Sequence, residues 1–247
     1  MSIQINNQQS AISNRQSARG FSLTEVLIAV GLLAVGMLFI AGVFPVSIHF
    51  TTVATERTIA ATVADEAFAK IKLYGFLPIT DVNWVATGQS SFEKVASTQP
   101  PTVCFTYPST NDLNSKYWWS AICRRVGPSD VQVTVFVSRK VGITTTYLNT
   151  IDPDRPVAVL VPVTLSGMDL QVNAANKNKI NDGYTIVDNI YGQIYRVLER
   201  YGPNLDLLRL NETWQGGAVT PGVWVVSQPV NGGRYPCIAV YQKIMHF

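Results

Sequence analysis

Between Val26 and Phe50 no Asp, Glu, Lys or Arg interrupts the chain, which reads VLIAVGLLAVGMLFIAGVFPVSIHF. As a helix rising about 1.5 Å per residue, 26–46 alone reaches across the roughly 30 Å hydrocarbon core of a bilayer. The run has no polar face, so it predicts a helix surrounded by lipid or by other apolar helices. After Pro45 the pattern changes. Val53, Ala60, Val63, Ala64, Ala67, Phe68, Ile71 and Tyr74 recur at steps of three, four and seven, while Glu56, Arg57, Asp65, Glu66, Lys70 and Lys72 take mostly other positions. That spacing predicts an amphipathic helix continuing from the first, with its apolar stripe against a domain. It should end at Tyr74-Gly75, where Gly serves as a cap and Pro78 follows closely. Gly42 and Pro45 are a weak point, since one is permissive and the other lacks an N–H.

From Phe76 onward the helical period gives way to short β-prone runs separated by turn residues. Strands are expected at 102–107, 117–124, 131–138, 157–165, 184–187, 193–199, 205–210, 223–227 and 237–242, with tight turns at Asp182-Gly183 and Asn231-Gly232. Val131, Val133, Val135 and Val137 alternate with Gln132 and Thr134, so one face of that strand is apolar. Alternation also predicts that one of the adjacent Trp118 and Trp119 faces a core; with Trp84, Trp214 and Trp224 they are first a packing signal and only second a ligand surface. The class is therefore α+β. One long N-terminal helix over 21–75, membrane-spanning over 21–46 and amphipathic thereafter, packs on an antiparallel β-rich head over 76–247, with 1–20 as a separate leader.

Composition removes several functions. The formal charge of +3 includes Arg15 and Arg19, and without residues 1–20 the chain carries 17 basic against 16 acidic side chains. A nearly neutral chain without a basic block is no phosphate-backbone binder, so no nucleic-acid partner is indicated. Arg15 and Arg19 before the apolar run put the N-terminus in the cytoplasm and the head outside by the positive-inside bias. The two histidines, His49 and His246, make no metal spacing with the cysteines, and no phosphate loop or nucleophile elbow appears. Asp152-Pro153-Asp154 and Asn181-Asp182-Gly183 have oxygens for a calcium ion, but such residues are far more often simple turn formers. No enzyme activity, metal or cofactor is expected.

An extracytoplasmic head permits a disulfide among Cys104, Cys123 and Cys237. A hairpin symmetric about residues 113 and 114 sets Cys104 opposite Cys123, at the separation a disulfide needs if that pair is not hydrogen-bonded. Two buried free thiols are the alternative, and Cys237 can displace either partner.

Glu25 stands alone at the mouth of the apolar run, where an ionised side chain normally has a partner. If the chain is cut after Gly20, the new α-amine of Phe21 lies one helical turn away. Snorkelling to the interface is the simpler reading of the isolated residue. A secretory signal would place its cleavage site after the apolar core, near Ala41 and Gly42, rather than before it. Gly20-Phe21-Ser22-Leu23-Thr24-Glu25, with basic residues before it and an apolar helix after it, resembles the processing motif of type IV prepilins and type II secretion pseudopilins.

That resemblance covers about a tenth of the chain and implies the rest of the reading. A prepilin peptidase cleaves after Gly20 and methylates the amine of Phe21. Glu25 then serves assembly, its carboxylate neutralising a subunit's N-terminal amine within the helix bundle, where an out-of-register chain would leave a charge unpaired. The fold implied is pilin-like, with a helix that can extend near Gly42 and Pro45 on packing. The partners implied are the membrane, the peptidase and other pilin or pseudopilin subunits. The location implied is the inner membrane as a single-pass protein, then a periplasmic or cell-surface filament. Thr24 departs from the family, many of whose members carry an aliphatic residue there. A large, irregular head points to a minor subunit. The other class left open is a signal-anchored extracytoplasmic binding or adhesin domain that never polymerises.

Overall fold

The structure is a computed structural model and describes residues 20–79, 91–96, 105–109, 114–142, 144–149, 152–167, 169–216 and 222–247. Helix α1, Leu23–Tyr74, is continuous and carries Pro45 inside it. Pro45 has no N–H for the carbonyl of Ala41, so one helical hydrogen bond is missing there, yet the backbone stays helical on both sides. Gly75 ends the helix with φ of 57°, the left-handed conformation that glycine adopts without penalty.

The chain divides into two compact units, one ending at Thr52 and the other beginning at Val53. In the first, every described residue is exposed, including Phe39, Ile40 and Phe44. Such a helix is out of place in water and needs lipid or apolar neighbours to cover it.

In the second unit the helix continues as an amphipathic one. Ala60, Val63, Ala64, Ala67, Phe68 and Ile71 are buried against a five-stranded antiparallel sheet. Its strands are β1 (Glu93–Lys94), β2 (Thr106–Tyr107), β3 (Tyr117–Arg125), β4 (Asp130–Arg139) and, last in the chain, β11 (Cys237–His246). The order is β1-β3-β4-β11, with β2 also pairing β3. Three alanines on the helix stripe let its backbone lie close to the sheet, where Val131, Val133, Val135 and Val137 meet it.

The remaining strands are β5 (Ala158–Ser166), β6 (Asp169–Val172), β7 (Thr185–Asp188), β8 (Ile194–Tyr201), β9 (Leu207–Leu210) and β10 (Gly222–Val226). They close into an antiparallel barrel in the order β10-β5-β6-β9-β8-β7. Alternation fills its interior: Val161 and Val163 of β5, Ile186 of β7, Val197 of β8 and Val223 and Val225 of β10 all point inward. On β5, β7 and β10 part of the opposite face is covered as well. Ala158, Val187, Trp224 and Val226 pack on Ile122, Phe136 and Phe92 of the sheet side. The sheet thus lies between helix and barrel, which corrects the sequence expectation for the tryptophans. Trp118 and Trp119 are both buried, each 1% exposed, because both faces of β3 are covered.

A second correction concerns Glu56. The sequence pattern treats it as a solvent residue, yet it is only 6% exposed. Its Oε1 accepts from Arg139 at the end of β4, and its Oε2 accepts from Arg234 Nη2 at 2.9 Å. The signal was present in the spacing, because 53, 56, 60, 63 and 67 follow steps of three and four along one stripe. A charge on that stripe is tolerated because both its oxygens are paired. The two arginines differ, with 17% and 51% of their side chains exposed for Arg139 and Arg234. Arg139→Ala, which leaves the buried Glu56 with only the half-exposed Arg234 as counter-charge, should destabilise the protein by about 3 kcal/mol. Arg234→Ala should cost less than about 1 kcal/mol. Chemical denaturation of both variants checks the ranking.

Candidate functional site

The residues singled out by the sequence sit at the start of α1. Phe21 and Ser22 precede the helix in non-helical backbone, and the first helical hydrogen bond runs from Val26 N to Ser22 O at 3.1 Å. Ser22 is therefore the N-cap, and Glu25 falls in the first turn. Gly20 has open space around it: a Cβ built there meets nothing within 4 Å. Phe21 is 82% exposed. Gly20, Phe21 and Glu25 are neighbours by sequence, the first two just before the helix and the third in its first turn.

Ser22 is a residue the sequence analysis passed over. Ser22-Leu23-Thr24-Glu25 has the spacing of a capping box, in which the first side chain and the fourth each serve a backbone N–H. In the structure the Ser22 hydroxyl is instead 2.7 Å from the Thr24 hydroxyl. Thr24, the departure from the family pattern, thereby holds the N-cap side chain. Glu25 makes no hydrogen bond or ion pair with the described residues. What favours its negative charge within the chain is the positive end of the helix, whose first-turn N–H groups lack helical partners.

The pairing of β2 with β3 has a register different from the expected hairpin. Thr106 pairs with Trp118 and Tyr107 with Tyr117, three residues away from a hairpin symmetric about 113 and 114. On β3, Cys123 has Glu93 of β1 on one side and Val133 of β4 on the other. On the same strand Trp119 lies tilted against Phe105 at 4.7 Å and edge-on to Phe76 at 6.0 Å. Cys104, like Trp84 and the leader, lies outside the described residues. Among the described residues, Cys123 and Cys237 form no disulfide. Burial pushes the Cys237 thiol up to about 12, against the lowering effect of a hydrogen bond with Tyr235, and raises Cys123 still further. Neither is a reactive thiolate at neutral pH.

Among the described residues no cluster of three or more His, Cys, Asp or Glu side chains is arranged to hold a metal. Asp152, one of the turn residues considered for calcium, is engaged otherwise: Arg155 Nη2 lies 2.5 Å and Lys94 Nζ 3.6 Å from its two oxygens. Burial raises its pKa, but the hydrogen bond and charge of Arg155 and the charge of Lys94 outweigh this and leave it below the usual carboxylate value. Asp182, in the second such turn, accepts from Arg200 N at 2.7 Å.

Residues 15–41 match the family described as the prokaryotic N-terminal methylation motif, which is the signature of type IV pilins and pseudopilins. No curated protein and no solved structure matches the chain. The matched segment contains Gly20, Phe21 and Glu25 and most of the charge-free run. Helix α1 is the helix among the described residues that is long and apolar enough to cross a membrane. The chain thus combines a methylation motif, an apolar N-terminal helix and antiparallel β structure, which together match an α+β pilin-like fold.

Proposed function

We propose that this chain, which carries the N-terminal methylation motif, is a structural subunit of a type IV pilus or a type II secretion pseudopilus, in a minor rather than a major position. It is cleaved after Gly20 by a prepilin peptidase, methylated on Phe21 and assembled through its N-terminal helix. The N-terminus lies in the cytoplasm until cleavage, and the head lies outside the inner membrane. The observation that carries this reading is Glu25, a lone carboxylate at the head of a fully exposed apolar helix, one turn from the junction Gly20-Phe21. Inside a bundle of such helices an unpaired carboxylate is costly, and an α-amine released at Phe21 is a counter-charge made in the same step that removes the leader.

The head supports a structural rather than an enzymatic role. Several of its described titratable groups are engaged in packing: Arg155 lies over Phe105 and Trp118, and Tyr235 stacks on Tyr184 at 3.7 Å. Cys104 and Cys123 as a disulfide pair stay part of the proposal, and thiol counting of the exported protein before and after reduction tests them.

Mass analysis of the protein extracted from membranes tests the processing step. The expected mass lacks residues 1–20 and carries one added methyl group on Phe21. A chain still beginning at Met1, or cut elsewhere, overturns the proposal. Gly20→Leu should leave the uncut chain as the accumulating form. Because a Cβ at Gly20 meets nothing within 4 Å, loss of processing in that variant reports the fit to the peptidase and not a folding defect. Thermal unfolding of the variant should be unchanged.

A further inference from the structure

The cluster around Glu56 has a feature that a simple ion pair does not require. A cavity of about 130 Å³ opens beside it, lined by Arg57, Arg139 and Arg234 together with Tyr235 and Pro236. At about 30 Å³ per water it has room for about four water molecules, or for one small oxyanion. The lining holds three arginines and a single carboxylate, a surplus of two positive charges. Both Glu56 oxygens are taken, Oε1 by Arg139 and Oε2 by Arg234. Each of these guanidiniums has five N–H donors and uses one on Glu56, so most of the donors along the cavity are uncommitted to it. Arg57, one residue further along the helix, has no ion pair with any described residue and adds a third fork. An excess of planar, permanently charged donors around a cavity of this size suits a phosphate group better than it suits water.

We propose that this cavity binds a phosphate group, with Arg57, Arg139 and Arg234 as donors and Glu56 as the acceptor that holds two of them in place. The side chain of Glu56 is 7% exposed, which fixes the position of the carboxylate and through it the two guanidiniums. Val53, which also lines the cavity, follows Phe50 by three residues of continuous helix, at the end of the charge-free run. A phospholipid headgroup is therefore one source of the phosphate, and the free ion is the other. The inference stands apart from processing at Gly20, since it concerns neither cleavage nor assembly.

Thermal unfolding of the full chain in a neutral detergent tests it, with inorganic phosphate, phosphatidylglycerol, diacylglycerol and acetate added separately at constant ionic strength. Phosphate and phosphatidylglycerol should each raise the midpoint and compete with one another, while diacylglycerol and acetate should not. In the double variant Arg57→Gln with Arg234→Gln, binding should weaken at least about tenfold, as loss of two charge-assisted contacts implies. Arg57→Gln alone disturbs no ion pair and should weaken binding in the same direction, which keeps the test valid if the double variant is poorly folded. Saturation by phosphatidylglycerol at lower concentration than by free phosphate identifies a lipid as the source; the reverse identifies the ion. Equal stabilisation by acetate, stabilisation by diacylglycerol matching that by phosphatidylglycerol, or unchanged binding in the variants would overturn the proposal.

Discussion

Glu25→Gln should leave the protein folded, inserted and processed, and should stop it from entering a filament. Two roles of Glu25 predict different outcomes for this variant. If the residue acts as the fourth member of a capping box, glutamine serves nearly as well, because its side-chain amide still offers an oxygen to a backbone N–H. If it acts as a counter-charge for an N-terminal amine, glutamine removes the interaction and leaves the amine unpaired in an apolar bundle. In the structure Glu25 is exposed and makes no bond to the described residues, so the reciprocal capping-box contact is not formed, while the Ser22 hydroxyl lies 2.7 Å from that of Thr24. An exposed substitution of this kind should shift stability by no more than about 0.5 kcal/mol. The measurement is the amount of the protein recovered in sheared or purified filaments, with export of cargo as a second readout. Wild-type recovery for Glu25→Gln together with a loss for Glu25→Ala would assign the residue to capping alone.

The second large effect is expected at Trp119. It is 1% exposed, lies against Phe76 and Phe105, and belongs to the cluster on which the second half of α1 packs. Truncation to alanine removes the ring from a site closed on all sides, and such losses are about 3–5 kcal/mol. A domain of ordinary stability has about 5–15 kcal/mol in total, so Trp119→Ala should leave the head marginal or unfolded at growth temperature. Trp119→Phe should be far milder, within about 1.5 kcal/mol. The indole Nε1 of Trp119 is buried without a hydrogen-bond partner, so phenylalanine removes an unsatisfied donor along with part of the ring. Urea unfolding of the two variants against the wild-type chain checks this contrast. An equal loss for both would mean that the indole nitrogen, and not the ring volume, holds the site.

Most element positions were legible because their causes are local. The apolar run, the three-and-four spacing after it and the Gly75 stop produce α1 within two residues of the expected 21–75. Expected strands such as 117–124 and 131–138 appear as Tyr117–Arg125 and Asp130–Arg139, because alternation and β-branched content act over a few residues. Two short strands were missed. Glu93–Lys94 has only two residues and a polar composition, and Asp169–Val172 follows β5 directly across Gly167, so its period was too short to stand out. The methylation motif at 15–41 was legible because it is a stretch of consecutive residues.

What the sequence by itself determined is the apolar helix, its exposed face, the carboxylate at its head and the methylation motif before it, all of which depend on neighbours within one or two turns of helix. Only the tertiary structure decided that β10 closes against β5 and β7 into a barrel, that β11 returns across the sheet to pair with β4, and that Val240 sits opposite Phe136. Those pairings join residues tens to a hundred positions apart, and alternation gives each strand two faces without saying what will cover them. Covering both faces of β3 buried Trp118 as well as Trp119, and laying α1 on the sheet brought Arg139 and Arg234 to Glu56. A charge on a helix stripe looks like a solvated side chain until its counter-charges arrive from other parts of the chain, and that is a property of the packing rather than of the segment.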